Sequence, residues 1–239
     1  MNERSNGRKH NEIRKLNLTR NYLPYPEGSC FVELGQTRVI TTATVENSVP
    51  QWLKGNGTGW VTAEYGMLPR STHTRNRRTS SANFPSGRTM EIQRLIGRTL
   101  RAVTDLEKLG ERSIYIDCDV INADGGTRVA SIIGAAVALH DAGTWLVKND
   151  ITREHIIKEL VSAVSIGIID EKITVDLCYE EDSSAEVDMN IVMTESGKFV
   201  EIQGTAEGKT FDRDMLDKML DSAQSAIKEI IAIQKAVLA

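Results

Sequence analysis

Ser113–Val147, SIYIDCDVINADGGTRVASIIGAAVALHDAGTWLV, is the stretch whose reading decides the fold. In its first part Ile114, Ile116, Cys118 and Val120 alternate with Tyr115, Asp117 and Asp119, the period of a strand with one buried face. The glycine pair Gly125–Gly126 breaks that period. An apolar helix then runs on from Thr127. Upstream, Gly87–Gly110 is helical: Ile92, Leu95, Ile96, Leu100, Val103 and Leu106 recur at near-helical spacing, and Gly110 is a stop signal. Further upstream, Cys30–Glu46 reads as two strands joined at Gly35–Gln36, and Gly59–Leu68 as another strand. Downstream, a short helix is expected near Arg153–Leu160. A hairpin turning at Asp170–Glu171 follows, then one turning near Ser196–Gly197. A long helix from about Asp212 to Lys235 carries Leu216, Met219, Leu220, Ala223, Ile227 and Ile230 on one face. Strands in hairpin pairs separated by helices predict an α+β fold with mixed sheets, not a regular βαβ repeat.

Bulk properties narrow the class. The 239 residues suffice for one well-formed core, read here as a single domain over 1–239 with a weak two-half organisation breaking near 148–153. The polar first residues, MNERSNGRKHNE, are expected to be disordered, and the polar, basic stretch Arg70–Ser86 to be a mobile loop. Cys30, Cys118 and Cys178 lie in apolar alternating runs without CxxC spacing and read as buried reduced thiols, not as a zinc site or disulfide framework. The N-terminus has no apolar signal core, and the most apolar long run is broken by His140 and Asp141, so no membrane association is expected. A cytoplasmic location is the expectation.

Three constellations carry chemistry. In Ala123–Ala135 a strand end, a glycine pair and then Thr127 and Arg128 stand at the mouth of a helix. Backbone N–H groups there lack intrahelical partners and favour an anion. The hydroxyl and forked guanidinium add contacts suited to phosphate oxygens. The competing reading is a plain strand-to-helix turn capped by Thr127. The second constellation is Arg70, Arg75, Arg77, Arg78, Arg88, Arg94, Arg98 and Arg101, set against a single acid, Glu91, in a chain whose formal net charge is −4. So segregated a basic region suggests a polyanion partner, although a solvated loop and helix surface produce the same pattern. Arg88 follows Ser86–Gly87 at a helix start and could supply a further anion contact, while Arg94, Arg98 and Arg101 read as structural or subunit-facing. The third is YEEDSSAEVDMN, Tyr179–Asn190, with five acids in twelve residues. A strand starting near Asp188 fixes that carboxylate on a strand end. Asp182 lies six residues earlier, near the end of the preceding strand, where a bend could bring the two together. Paired carboxylates bind Mg²⁺, or one stays protonated as a general acid; a solvated turn is the bland alternative, which Glu180, Glu181 and Glu186 keep.

Taken together, GWVTAEYGMLPRSTHTRNRR, SGRTMEIQRLIGR, LGERSIYIDCDVINADGGTR, EEDSSAEVDMN and FVEIQGTAEG resemble the ribonuclease PH family, which also includes polynucleotide phosphorylase and the exosome ring subunits. The segments are long, fall in the family order and cover the chain from about Gly7 onward. There is no room for a duplicated core or for appended KH and S1 modules, so the chain looks most like the tRNA-trimming bacterial members. Ile133 departs from the family pattern, where a threonine is expected, and reads as a packing variation. The resemblance implies a ribosomal protein S5 domain 2-like α+β fold and a homohexamer built as a trimer of dimers. It implies phosphorolytic trimming of tRNA precursor 3′ ends, with no DNA partner. Inorganic phosphate is implied to bind at Arg88, Gly126, Thr127 and Arg128. Asp182 and Asp188 are implied as catalytic residues associated with a divalent metal such as Mg²⁺. Arg70, Arg75 and Arg78, with Arg77 beside them, are implied to grip RNA. Two other readings remain, a catalytically silent RNA-binding ring subunit and a hydrolytic metal-dependent nuclease.

Overall fold

The computed structural model describes residue 4, residues 7–78 and residues 86–239. In chain order the elements are β1 Leu16–Arg20, β2 Gly28–Leu34, β3 Thr37–Glu46, β4 Trp60–Met67, α1 Gly87–Val103, α2 Leu106–Leu109, β5 Ser113–Asn122, α3 Thr127–Lys148, β6 Val161–Ile169, β7 Lys172–Val175, α4 Tyr179–Asp182, β8 Val187–Thr194, β9 Phe199–Ala206 and α5 Arg213–Leu238. A first sheet has the order β1-β2-β3-β5-β4 and a second the order β7-β6-β8-β9. The expected hairpins are present: β2 pairs with β3, β6 with β7 and β8 with β9, all antiparallel. At the β6–β7 turn Asp170 and Glu171 both have positive φ, at 47° and 63°, the backbone hand that matches strand twist in a two-residue hairpin.

The first sheet is mixed because β4 runs parallel to β5, with α1 and α2 as the crossover between them. The second sheet is antiparallel throughout. Helix α3 is the keystone. It packs on β2, β3 and β5 of the first sheet, on β6 of the second, and on α1 and α5. A helix touched on all sides must be apolar all round. That explains the run of small and branched residues from Val129 to Leu139, every one of them buried. By length and mean hydropathy, 1.3, this helix would suit a membrane span, but 83% of that window lies inside the protein. Ile133 is fully buried within it, as a packing variation requires.

Four expectations change. A further strand, β1, precedes β2 and pairs with it from Leu16–Leu34 to Arg20–Cys30. Arg4 is 7% exposed and residues 7–12 are hydrogen-bonded, so the described part of the N-terminus is not disordered. The helix predicted over Gly87–Gly110 is broken at Thr104, and Asp105 caps the short α2 through Lys108 N–H. No helix forms over Arg153–Leu160. That segment is extended where Ile157 bridges Thr104, Ile156 C=O accepts from Asp105 N–H at 2.7 Å and Lys158 N–H donates to Val103 C=O at 2.9 Å. Tertiary pairing there overrides local propensity. Of the cysteines, Cys30 and Cys118 are buried, and burial pushes the Cys30 thiol up to about 12; Cys178 is only partly buried.

Candidate active site

Helix α3 begins at the glycine pair. Gly125 and Gly126 have φ of 71° and 65°, a left-handed conformation that β-carbons oppose. The first intrahelical bond runs from Ala130 N–H to Gly126 C=O, so the N–H groups of Thr127, Arg128 and Val129 have no intrahelical acceptor. No side chain caps this helix, so the capping role considered for Thr127 is not the one it plays. Its hydroxyl instead meets Tyr65 Oη at 2.8 Å, a buried contact from β4. Burial raises the Tyr65 pKa, while the Thr127 hydroxyl and then Arg88 and Arg128 pull it down.

Arg88 arrives from another helix mouth. Ser86 Oγ accepts from Thr89 N–H at 3.1 Å and starts α1, which places Arg88 in its first turn. Neither α1 nor α3 has an acidic residue in its first turn, where the helix dipole normally favours one. Arg88 is exposed, and among the described residues it has no hydrogen-bond or ion-pair partner. Arg128 is aimed by neighbours: it donates to Gln203 Oε1 at 2.7 Å and lies 3.7 Å from Glu91, which itself accepts from Gln203 Nε2 at 2.9 Å. This triad joins α1, α3 and β9.

The carboxylates complete the site. Asp188 is the second residue of β8, opposite Gly167 and Thr205. Burial and then the neighbouring Asp182 push its carboxyl up to about 6, against the opposing pull of Arg128 and Arg88. Its Oδ1 is buried with no hydrogen-bond partner among the described residues, an arrangement that costs free energy unless something else arrives. Burial raises Asp182 too, opposed by Arg88 and Arg128. Glu207, after β9, raises both. The same two arginines therefore act on both carboxylates and on Tyr65, so Arg88, Arg128, Thr127, Asp182 and Asp188 gather at one place.

Asp182 is held differently from expectation. It ends the one-turn helix α4, not a strand. That turn is anchored by Glu181, which is 8% exposed and not a solvated acid. Arg4 Nε donates to Glu181 Oε1 at 2.6 Å and Arg4 Nη2 to Oε2; Cys178 N–H also donates to Oε2, at 2.9 Å. Burial pushes the Glu181 carboxyl up, but Arg4 and the Cys178 N–H outweigh it and hold it at about 2. A depressed carboxylate pKa stabilises the fold above the ordinary value of 4.5 and loses that contribution as pH falls toward 2. Glu181→Gln should thus cost about 3 kcal/mol at pH 7. Urea unfolding measures it, and the gap to the unmodified chain should close as the pH is lowered. Gly125 locks α4 to the helix mouth, since a Cβ there would lie 2.6 Å from Cys178 C and 2.7 Å from Leu177 O. Gly125→Ala should cost about 3 kcal/mol through this backbone clash and the left-handed φ, read as a lower urea midpoint.

Arg70, Arg75, Arg77 and Arg78 are exposed. Their segment is pinned at its base, where Ala123 N–H donates to Ser71 C=O at 2.8 Å, next to the glycine turn. Asn76 N–H donates to Pro69 C=O at 2.8 Å, which closes a loop over residues 69–76. Residues 79–85 of the predicted polar stretch lie outside the described residues. Arg78 borders a cavity of about 450 Å³ whose lining includes Glu64, Tyr65, Asp117 and Asp119 but neither Asp182 nor Asp188. Arg94 is exposed; Arg98 forms a forked ion pair with Glu201; Arg101 stacks 4.3 Å from the Trp60 ring and donates to Val61 C=O, as structural residues do.

Two family models match the chain, domain 1 of the 3′ exoribonuclease family (RNase PH) over residues 12–144 and domain 2 of the same family over residues 159–226. The chain belongs to the 3′ exoribonuclease family. Solved structures agree on the fold. Rice (Oryza sativa) Rrp46 is 16% identical with a TM-score of 0.80, covering 99% of this chain and 100% of its own. The Archaeoglobus fulgidus exosome with RNA bound to the active site gives 23% identity and a TM-score of 0.81, over 97% and 92%. An archaeal exosome core gives 22% and 0.78, over 98% and 91%. The architecture of this family member is thus the S5 domain 2-like α+β fold expected from the sequence.

Gln203, Glu91, Tyr65, Glu207 and the Arg4–Glu181 pair escaped the sequence reading. Only Glu91 gave a signal, as the lone acid among arginines.

Proposed function

We propose that the protein is a phosphorolytic 3′→5′ exoribonuclease. Inorganic phosphate attacks the last phosphodiester of an RNA 3′ end, which releases a nucleoside diphosphate and leaves the RNA one nucleotide shorter. The observation that carries this reading is the convergence of Arg88, Arg128 and the uncapped α3 terminus on a half-buried carboxylate pair. Hydrolysis needs cationic contacts for one anion, the scissile phosphate; phosphorolysis needs them for a second, the attacking phosphate. Attack of one anion on another is mainly a matter of positioning and positive charge. Arg88 would take phosphate oxygens in its fork, the N–H groups at Gly126–Arg128 would donate to others, and Tyr65 would hold the Thr127 hydroxyl in place.

The carboxylate pair fits a divalent cation such as Mg²⁺. The donors are hard oxygens, Asp188 Oδ1 has no partner among the described residues, and Asp182 raises the Asp188 carboxyl. Among the described residues no cluster of three or more metal-binding side chains exists, so Asp182 and Asp188 would hold the ion with water and phosphate oxygens filling its shell. When bound it would supply positive charge to the transferring phosphoryl group. Asp188 can also hold a proton on its carboxyl and pass it to the leaving 3′ oxygen. Turnover then declines as pH rises through about 6, where that proton is lost; a limb rising through the same pH assigns Asp188 to the cation alone.

The exposed Arg70, Arg75, Arg77 and Arg78 would grip the RNA backbone without reading sequence, so RNA affinity falls as salt rises. The same proposal takes tRNA precursor 3′ ends as substrate, a homohexameric ring built from dimers as the assembly, and a cytoplasmic location. Because the bond energy is kept in the diphosphate, the reverse addition of nucleotides is feasible. The deciding experiment incubates purified protein and Mg²⁺ with a tRNA precursor, with and without phosphate. Nucleoside diphosphate only with phosphate is the expected result. Monophosphate release without phosphate would establish hydrolysis; no release at all would leave an RNA-binding ring subunit.

A further inference from the structure

Arg14 belongs to no motif, yet it is built into the underside of the site. Its side chain is 6% exposed, and a buried cation needs full pairing. On one side Nη1 donates to Asp124 C=O at 2.5 Å, and both Nη1 and Nη2 reach Gly125 C=O at 3.5 Å. Thr37 Oγ1 also donates to that Gly125 carbonyl, at 2.7 Å. On the other side Nε and Nη2 grip Asp176 Oδ2 and Oδ1 at 2.9 and 2.7 Å, and the Arg14 backbone N–H donates to Oδ2 at 2.6 Å. Asp176 is fully buried with φ of 54°, a conformation aspartate adopts only when its surroundings insist. It is the residue after β7, where the chain turns into α4 and Asp182.

The geometry has a direct consequence. A trans peptide is planar, so drawing the Asp124 and Gly125 carbonyls toward Arg14 turns the next N–H groups, those of Gly125 and Gly126, the opposite way. The guanidinium thus orients the Gly126 N–H, the first of the cradle, from behind. A Cβ on Gly126 would lie 2.8 Å from Arg14 Nη2, so a glycine is needed for the guanidinium to sit there. One side chain fixes both the glycine turn of α3 and the approach to α4.

We propose that Arg14 is a positioning residue that sets the phosphate cradle and the Asp182 helix in register, coupling phosphate binding to the carboxylate pair. This rests on the phosphorolytic reading above. Lysine keeps the charge but cannot hold two carbonyls and a carboxylate at once. Arg14→Lys should reduce kcat/KM for phosphate by on the order of 100-fold, with a raised phosphate KM, and displace the carboxylate limb of the pH profile. RNA affinity should stay near that of the unmodified enzyme. Arg14→Ala should regain activity on addition of guanidinium but not of sodium at equal ionic strength. Asp176→Asn releases the same fork with little change in shape; it should raise the phosphate KM too, and it serves if the Arg14 variants do not fold. Arg20→Lys, which disturbs the Arg20–Asp141 ion pair far from the cradle, is the control for general loosening. The inference is overturned if folded Arg14 or Asp176 variants keep the phosphate KM and pH limb of the unmodified enzyme, or if Arg20→Lys moves both equally. An unmodified enzyme that needs no phosphate overturns the phosphorolytic reading itself, and this inference with it.

Discussion

Asp188→Asn should lower turnover about 1,000-fold while leaving RNA affinity nearly unchanged and raising the melting temperature. The combination follows from one feature, a carboxylate kept where a carboxylate is uncomfortable. Burial and Asp182 push the Asp188 carboxyl up to about 6, above its usual 3.8. The folded state therefore binds this proton more tightly than the unfolded chain does. Stability from this group is greatest at low pH, declines as pH rises from about 4 to about 6, and stays reduced above that. With its partial exposure allowed for, the ionised form costs on the order of 2 kcal/mol at neutral pH. Asparagine has nearly the same shape and no charge, so the metal-free variant should melt about 4 °C higher. Single-turnover kinetics, RNA binding and thermal melts at pH 7.5 test all three parts. Unchanged turnover would remove Asp188 from the chemistry; lost turnover with a lower melting temperature would make it a structural residue.

Arg88→Ala should raise the phosphate requirement by about 100- to 1,000-fold, the effect of removing one preorganised donor from a site of developing charge. Arg88 is exposed and has no partner among the described residues. Its loss should move stability by no more than about 0.5 kcal/mol. That separates it from Arg128, which is tied to Gln203 and Glu91 and whose removal would also loosen the contact between α3 and β9. Initial rates across a phosphate titration measure the effect. Phosphate dependence unchanged in a folded Arg88→Ala enzyme would take Arg88 out of the cradle.

Much of this site is legible in the sequence. Thr127 and Arg128 stand at a helix mouth because a glycine pair interrupts a strand period there, and glycine turns are local events. Asp188 was placed on a strand because MNIVMT extends an apolar run from it. Asp182 was assigned to a strand end and lies instead on a one-turn helix. Its four residues are too few for any periodicity to show. Glu181 was grouped with solvated acids because its neighbours in sequence are polar. Its partner Arg4 is 177 residues away, and no window of sequence sees such a pair. Arg153–Leu160 failed as a helix because bridging to Thr104 satisfies its backbone.

Local sequence patterns account for the α+β class, the hairpins, the apolar central helix and the residue types of an anion cradle. All of these rest on interactions between residues close in the chain. Only the tertiary structure decided that two helix mouths, α1 and α3, meet over the carboxylates of α4 and β8, and that three N-terminal arginines, Arg4, Arg8 and Arg14, hold the assembly from behind. Those contacts join segments more than 160 positions apart. They form because buried charges must find partners wherever the fold brings them, and no local pattern records which partner that will be.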